Sequence, residues 1–316
     1  MSVRVAFGID TSNYTTSAAA VTAAGEVFYA KRPLFVPQGE CGMRQSDALF
    51  CHTRDLPEVV EECLSALRNA VGSVRIEAVG VSSTPRRAEG SYMPCFLAGV
   101  NAAASAAQLL GVPLFRFSHQ EGHIEAARFG SAREGRVLSA TEFLAFHLSG
   151  GTTELLLVRE VDARYDVRLL ADTLDLTCGQ LIDRCGVALG TPFPAGVHLE
   201  RLALARQDRK RRIPIKKKET GINLSGFENR FRQKMEAGET AEDLAGFVFD
   251  VTASAVESLL SFAPEELPVL FSGGVSSSVL LRQSFSGERY FFAPPSYSAD
   301  NAIGIACLAM KGALLG

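Results

Sequence analysis

Two histidines lie four residues apart within residues 118–127, and their type and spacing suit the binding of a metal ion. The segment follows the apolar run at residues 112–115, a pattern that predicts a strand leading into a helix. Because residues i and i+4 share a helix face, His119 and His123 can turn both imidazoles toward one cation. The spacing predicts a metal site, and two helix-face histidines, one solvated and one packed, are the alternative.

The residue after the first histidine excludes a metalloprotease of the H-E-x-x-H type. Such an enzyme needs a glutamate at that position, where its carboxylate acts as general base on metal-bound water. Here the position is Gln120, and the carboxylate comes one residue later at Glu121. Two residues along a helix rotate a side chain by about 200°, so we expect Glu121 to point away from the histidine pair.

The composition is that of an ordinary globular protein with no global attraction to nucleic acid or lipid. Of the 316 residues, 47% are hydrophobic and 21% are charged, and the net charge is −3. The seven cysteines form no C-x-x-C pair, which is typical of buried thiols in a reducing compartment. No apolar run reaches the ~20 residues that cross a bilayer, and the chain starts on a predicted strand without a leader. We therefore expect a cytoplasmic protein with no membrane partner.

The pattern of strands recurs in the two halves of the chain. Each half opens with three predicted strands and then changes to helices that alternate with short strands. The opening strands are predicted at residues 3–10, 16–22 and 26–30, and again at 143–148, 153–159 and 167–172. The later elements are predicted as helices at 56–70, 93–110, 179–189, 241–261 and 275–284, with strands at 76–82 and 268–271.

This recurrence predicts an α/β protein with two related domains that face each other. The architecture resembles the one shared by actin, sugar kinases and Hsp70, the RNase H-like fold in which a nucleotide lies in the cleft between two such domains. We predict an N-terminal domain at residues 1–134 and a C-terminal domain at residues 135–300. The last helix, at about residues 301–316, is expected to pack back onto the first domain.

Two glycine turns and one helix are candidates for a nucleotide site. Residues 149–153 and 271–275 each contain a Gly-Gly pair, which lets the backbone approach a ligand and offer N–H groups to phosphates. Gly179 and Asp183 are four residues apart on a predicted helix, a spacing that suits a ribose lying beside a carboxylate. Ordinary tight turns and a surface carboxylate are the alternatives.

The densest positive segment is residues 206–218. Phosphate backbones attract such runs through the release of counterions, so contact with nucleic acid is one interpretation of the segment. A solvated loop of mixed charge is the alternative.

With these segments placed, the whole chain resembles the universal tRNA threonylcarbamoyl transferase family, whose members were long labelled glycoproteases. The matching motifs occur in order along the chain. They are residues 8–12, 119–123 and 149–151, then Gly179 with Asp183, then residues 194–196, 224–227, 272–275 and 299–301.

The resemblance implies transfer of a threonylcarbamoyl group from an adenylate to N6 of an adenosine in the tRNA anticodon loop. It also implies a divalent metal ion bound by His119, His123 and Asp300. His147 matches a tyrosine ligand of some members and would be a fourth ligand, although a hydrogen-bonded strand histidine is the alternative. Such a ligand set suits iron(II) or zinc better than magnesium, which is kept as a further candidate ion.

The resemblance further implies roles for residues outside the metal site. Asp10 and Ser12, near the end of the first strand, would be catalytic. Transfer RNA and the accessory proteins of a tRNA-modification complex would be the partners. ATP or an adenylate would be bound by Ser149, Gly150, Gly151, Thr152, Gly179, Asp183, Gly196, Gly273, Gly274 and Ser278.

The chain departs from the family at positions near the reacting groups. Tyr14 and Thr15 stand where the family usually has an acidic pair, and Thr152 stands where bacterial members have a histidine. Ser278 replaces an asparagine, and Glu228 replaces a lysine. One hypothesis is a transferase that relies on positioning and electrostatics rather than on a carboxylate base. The other is a nucleotide-binding paralogue that lacks transfer activity and acts as a scaffold or regulator.

Overall fold

The computed structural model describes residues 2–12, 14–35, 43–207, 212–298 and 302–315. The strands are β1 (Val3–Ser12), β2 (Thr15–Thr22), β3 (Val27–Pro33), β4 (Val74–Thr84), β5 (Leu114–Ser118), β6 (Glu142–Leu148), β7 (Thr153–Val161), β8 (Arg164–Thr173), β9 (Gly221–Ile222), β10 (Val269–Ser272) and β11 (Tyr290–Phe292). The helices are α1 (Gln45–Val71), α2 (Phe96–Leu110), α3 (His119–Arg133), α4 (Cys178–Ala188), α5 (Gly196–Leu204), α6 (Ser225–Glu236), α7 (Ala241–Leu260), α8 (Val279–Ser284), α9 (Pro295–Ser298) and α10 (Ala302–Leu315).

The chain divides into two compact units. Unit 1 comprises Met1–Gly130, Glu160–Tyr165 and Ala299–Gly316, and unit 2 comprises Ser131–Arg159 and Asp166–Ser298. The first boundary therefore lies a few residues before the one expected at residue 134. The segment Glu160–Tyr165, expected in the second domain, belongs to unit 1 because its side chains pair with residues of α3 and α10.

Unit 1 contains a five-stranded sheet in the order β3-β2-β1-β4-β5. β1 pairs antiparallel with β2, with Asp10 opposite Ser17, and parallel with β4, with Ile9 opposite Val81. The apolar residues of β1 are buried on both faces, because α1 and α2 pack on one side and α10 packs on the other.

Unit 2 contains a six-stranded sheet in the order β11-β10-β6-β7-β8-β9. β6 and β7 form an antiparallel pair, and β10 runs parallel to β6. Phe271 of β10 stacks between Phe146 and Phe292, with ring centroids 5.2 and 4.4 Å away, and so ties three strands into the core. Both units open with three strands and continue with alternating helices and strands, as the recurrence predicts.

The predicted helix at residues 275–284 is divided in the structure. A 3₁₀ turn at Gly274–Ser277 comes first, and α8 begins after Ser278. The hydroxyl of Ser278 accepts a hydrogen bond from the backbone N–H of Leu281 at 3.2 Å, which caps α8 and separates the two pieces.

Across the described ranges, none of the helices combines the length and the apolar character that crossing a membrane requires.

Candidate functional site

The turn between β6 and β7 is fixed against the first turn of α4. Thr177 caps α4 by accepting a hydrogen bond from the N–H of Gln180 at 3.0 Å, and its hydroxyl donates to the carbonyl of Gly150 at 2.9 Å. A side chain on Gly179 would collide with the carbonyl oxygen of Ser149. Glycine at position 179 therefore lets the turn lie directly on the helix start.

A second turn leaves the end of β10 beside the end of β6. Gly273 has a φ of 90°, and a Cβ there would collide with the carbonyl oxygen of Leu148. Both constraints require glycine at this position. After the turn, the hydroxyl of Ser278 donates to the carboxylate of Glu200 on α5.

The two turns and helices α4, α5 and α7 enclose a cavity of about 290 Å³ in unit 2. Its lining comprises Gly150, Gly179, Ile182, Asp183, Pro194, Gly196, Val197, Glu200, Phe249, Gly274, Val275, Ser277 and Ser278. This volume lies at the small end of the range for ligand pockets, which is about 300–1,000 Å³. Its apolar walls with a few polar groups are typical of a site that binds an organic ligand.

Two carboxylates face this cavity, and local hydrogen bonds fix the orientation of both. Asp183 Oδ1 accepts from the backbone N–H of Ala195 at 2.8 Å, and Glu200 Oε1 accepts from the N–H of Leu280 at 3.0 Å. Among the described lining residues there is no lysine or arginine. The cavity therefore favours a ligand that donates hydrogen bonds, such as the hydroxyls of a ribose, over a phosphate group.

The structure brings most of the predicted nucleotide residues to this cavity. Ser149, Gly151, Thr152 and Gly273 belong to the two turns but are not part of its lining. The lining residues that the sequence also predicted are Gly150, Gly179, Asp183, Gly196, Gly274 and Ser278. Sequence reasoning missed Glu200, because it lies four residues after Gly196 on α5, a helix that the sequence analysis did not predict.

Asp10 is a buried carboxylate at the end of β1 in unit 1. Its side chain accepts hydrogen bonds from the hydroxyl of Ser12 at 2.6 Å and from the hydroxyl of Ser82, and it lies 3.2 Å from His119 Nδ1. Burial raises the pKa of Asp10, but the charge of His119 and the hydrogen bonds from His119, Ser12 and Ser82 outweigh burial, so the pKa lies below its usual value. Asp10 is therefore ionised at neutral pH.

The carboxylate of Asp10 fixes the orientation of the neighbouring imidazole. Nδ1 of His119 lies 3.2 Å from Asp10 Oδ1, which leaves Nε2 as the ring nitrogen that is not directed at the carboxylate. His123 lies beside it on α3, with the ring centroids 4.6 Å apart and the rings inclined at 70°. The predicted pairing of the two imidazoles on one helix is present.

Glu121 holds the start of α3 rather than facing the histidines. One carboxylate oxygen accepts from the N–H and the hydroxyl of Ser118 at 2.7 and 2.9 Å, and the other accepts from the N–H of Tyr165 at 3.3 Å. Because both oxygens of Glu121 accept these hydrogen bonds, the carboxylate is not placed to act as the general base of a metalloprotease.

His147 and Asp300 are the other two predicted metal ligands. His147 is on β6 in unit 2, where its Nδ1 is 3.3 Å from the hydroxyl of Ser272. Asp300 lies outside the described residues. Within residues 2–12, 14–35, 43–207, 212–298 and 302–315, no group of three or more His, Cys, Asp or Glu side chains is arranged to hold a metal.

The positions that depart from the family are partly explained by ion pairs. Glu228 accepts hydrogen bonds from Arg184 at 3.1 Å and from Arg232 at 2.9 Å, so its reversed charge is balanced locally. In the basic run, Arg206 is buried in a two-point ion pair with Asp250, which makes it a structural residue rather than an RNA contact. Residues 208–211 of that run lie outside the described residues.

Comparison with known proteins identifies relatives along nearly the whole chain. Residues 25–307 match the family model of tRNA N6-adenosine threonylcarbamoyltransferase. A protein of that name from Methanopyrus kandleri is 27% identical over 96% of this chain and 86% of its own length. A probable bifunctional tRNA threonylcarbamoyladenosine biosynthesis protein from Methanothermobacter thermautotrophicus is 28% identical over 95% of this chain, which spans 54% of that relative.

Solved structures show the same fold at low sequence identity. The match to HypF from T. kodakarensis covers 99% of this chain and 48% of the HypF chain, with a TM-score of 0.62 and 13% identity. Component A of the (R)-2-hydroxyglutaryl-CoA dehydratase from Acidaminococcus fermentans matches 98% of this chain and 99% of its own, with a TM-score of 0.55 and 14% identity. The expected α/β fold of two actin-like units is confirmed.

Proposed function

This chain belongs to the tRNA N6-adenosine threonylcarbamoyltransferase family, and from that premise we propose that it transfers a threonylcarbamoyl group from an adenylate to N6 of an adenosine in tRNA. The observation that carries the proposal is the unit 2 cavity, in which two oriented carboxylates face a space of about 290 Å³. Partner proteins of a tRNA-modification complex belong to the same proposal. The bifunctional name of one relative supports such a link between activities.

The adenosine moiety of the donor would occupy this cavity. Asp183 and Glu200 would accept hydrogen bonds from the ribose hydroxyls, and Ile182, Val197 and Val275 would supply apolar walls. Phosphate groups would lie outside the cavity, near the backbone N–H groups of the two glycine turns, because the described lining offers carboxylates but no cationic side chain.

A metal ion fits the histidine pair of unit 1. His119 and His123 would hold it, and the donor set is consistent with this, because the two imidazoles lie side by side and Asp10 faces Nδ1 of His119, which leaves Nε2 as the candidate ligand atom. When bound, an iron or zinc ion would supply Lewis-acid stabilisation of charge on the carbamoyl–phosphate linkage. His147 and Asp300 remain predicted ligands.

The transfer itself requires positioning more than it requires a base. N6 attacks the carbamoyl carbon, the bond from that carbon to the phosphate oxygen breaks, AMP leaves, and N6 releases one proton to solvent. The cavity would contribute by holding the leaving nucleotide in a fixed orientation through Asp183 and Glu200. In this proposal Asp10 orients His119 from a buried position, and Ser12 orients Asp10.

A nucleotide-binding scaffold or regulator is the second candidate, and one observation favours it. Tyr14 and Thr15 provide no carboxylate where the family usually has an acidic pair. A scaffold would keep the cavity and its nucleotide affinity but would lack transfer.

One experiment separates the two functions. Protein purified without chelators is incubated with threonylcarbamoyl-adenylate that carries labelled threonine and with unmodified tRNA, and the tRNA nucleosides are analysed by mass spectrometry. The transferase proposal expects labelled threonylcarbamoyladenosine. Measurable ATP affinity without any labelled nucleoside, also in the presence of a cell extract that supplies partner proteins, would support the scaffold instead.

A further inference from the structure

Helix α10 is in close contact with both the unit 1 sheet and α3. A Cβ on Gly8 of β1 would lie 2.5 Å from the carbonyl oxygen of Ala302, so β1 touches the backbone of α10 directly. Two residues further along α10, a Cβ on Gly304 would collide with the carbonyl oxygen of Gly122 on α3. The backbone of α10 is therefore packed tightly against β1, which carries Asp10, and against α3, which carries the histidines.

A partly buried ion pair joins the same two helices further along. Lys311 Nζ of α10 donates to Glu125 Oε2 of α3 at 2.8 Å and to Glu160 Oε1 at 3.1 Å. The Glu125 side chain is only 4% exposed, and it also accepts from the hydroxyl of the fully buried Tyr165. Arg128 of α3 donates to Glu160 at 2.6 Å, so two residues of α3 are tied to one network.

Both contacts lie close to the histidine pair in sequence. Gly122 lies between His119 and His123, and Glu125 follows His123 by two residues. The 3.2 Å distance between Asp10 and His119 depends on the separation of β1 and α3. Since α10 packs against both of these elements, its position sets that separation.

We propose that α10 is the positioning element of the histidine pair, and that Lys311 is a positioning residue for metal binding through its ion pair with Glu125. The inference rests on the metal site of the proposed function. Lys311 itself would touch neither the metal nor the substrate. It fixes α3, and α3 presents the two imidazoles.

The effect of removing Lys311 follows from burial. Lys311→Met leaves the Glu125 carboxylate buried without its ammonium partner, and α3 must shift or hydrate to relieve that charge. Metal ligands tolerate displacements of only about 0.2 Å, so a shift of α3 weakens binding. Loss of supporting contacts around metal ligands typically lowers metal affinity by about 10–100-fold.

The test measures Co²⁺ binding to the full chain by titration, together with the visible absorption spectrum of the bound ion and thermal unfolding. Lys311→Met is compared with Lys311→Arg, which keeps the charge. The matched control is Lys234→Met. The side chain of Lys234 is as exposed as that of Lys311 (33% and 34%), and it also forms an ion pair, with Glu239 at 2.7 Å, but it lies in unit 2. We expect Co²⁺ affinity about tenfold lower and an altered spectrum for Lys311→Met, with both comparison variants close to wild type.

The outcomes distinguish this inference from the function on which it rests. If wild type and Lys311→Met bind Co²⁺ equally well, the positioning role is overturned but the metal site is not. Wild type that binds no Co²⁺ would overturn the proposed metal site and the positioning role with it. If Lys311→Met fails to fold, the double variant Lys311→Met/Glu125→Gln removes the unpaired charge but still lacks the ion pair that ties α3 to α10. It is therefore expected to keep a weaker affinity than wild type, and full affinity in that variant would again contradict the inference.

Discussion

At the scale of single residues, the two oriented carboxylates of the unit 2 cavity are the groups that define its ligand. Each uses one oxygen for a structural hydrogen bond, so its direction does not depend on the ligand. An acceptor that is fixed before binding loses little conformational entropy when the ligand arrives. This is the physical basis for expecting nucleoside recognition in a cavity whose described lining contains no cation.

Asp183→Asn tests that recognition with little structural cost. The amide oxygen can still accept from the N–H of Ala195, but the negative charge is lost. A hydrogen bond to a charged group contributes about 1.5–3 kcal/mol, so we expect the Kd for ATP, measured by calorimetry, to rise at least tenfold. Glu228→Gln on α6 is the control, since Glu228 does not line the cavity. Equal affinities of wild type and Asp183→Asn for ATP would show that Asp183 does not take part in binding.

The sequence identifies residues whose partners are close along the chain and misses those whose partners are distant. His119 with His123, and Gly179 with Asp183, follow from helical spacing alone. Ser82 donates a hydrogen bond to Asp10 from the neighbouring strand β4, and this contact could be identified only once the sheet register was known. Glu200 required helix α5, which the sequence did not predict.

At the scale of elements, close contacts at helix starts and turns create the cavity. The β6–β7 turn rests on α4 because position 179 has no side chain. The predicted strands correspond closely to the observed ones, since alternating burial and apolar runs are local signals. Helices α5 and α6 were missed because they are short, with 9 and 12 residues against the 20 of α7, and so offer few turns over which a helical period can be recognised.

Gly179→Ala tests the contact between turn and helix. The added methyl group must displace the carbonyl of Ser149, and such overpacking costs about 1–3 kcal/mol of unfolding free energy. We expect a lower midpoint in urea unfolding together with weaker ATP binding. Gly226→Ala on α6 is the matched control, because a Cβ there has no neighbouring atom within 4 Å. A Gly179→Ala variant as stable as the control would show that the turn does not depend on this contact.

Asp175 makes the stability of unit 2 depend on pH. Burial raises the pKa of Asp175, but hydrogen bonds from Ser225, Leu224 and Leu176 lower it by more than burial raises it, so the folded-state pKa lies below its usual value. A depressed pKa contributes stability above the unfolded-state pKa, and that contribution is lost as the pH falls through the folded-state value.

The Asp175→Asn variant should therefore be less stable than wild type at pH 7, and the difference should shrink as the pH falls below about 4. Urea unfolding at a series of pH values measures this difference. A stability difference that stays constant from pH 7 to pH 3 would show that the charge of Asp175 has no role in holding the start of α6.

At the scale of the whole molecule, the doubled pattern of strands and helices was enough to predict two α/β units. It could not predict that Glu160–Tyr165 joins unit 1, because that assignment depends on ion pairs with Arg128 and Lys311 that leave no periodic signal. HypF and the dehydratase component share this fold at 13–14% identity, which shows that the fold alone does not specify the reaction. The family motifs and the cavity they form carry the functional conclusion.

In the function proposed here, this chain transfers a threonylcarbamoyl group with the help of its histidine pair. The most direct measurement is the incorporation of labelled threonine into unmodified tRNA, in one assay, by wild type and by His119→Ala. We expect labelled nucleoside from the wild-type protein and about 100-fold less from the variant, the upper end of the loss that follows when even a supporting contact of a metal ligand is removed. Equal incorporation by the two proteins, or none by wild type that binds ATP, would contradict it.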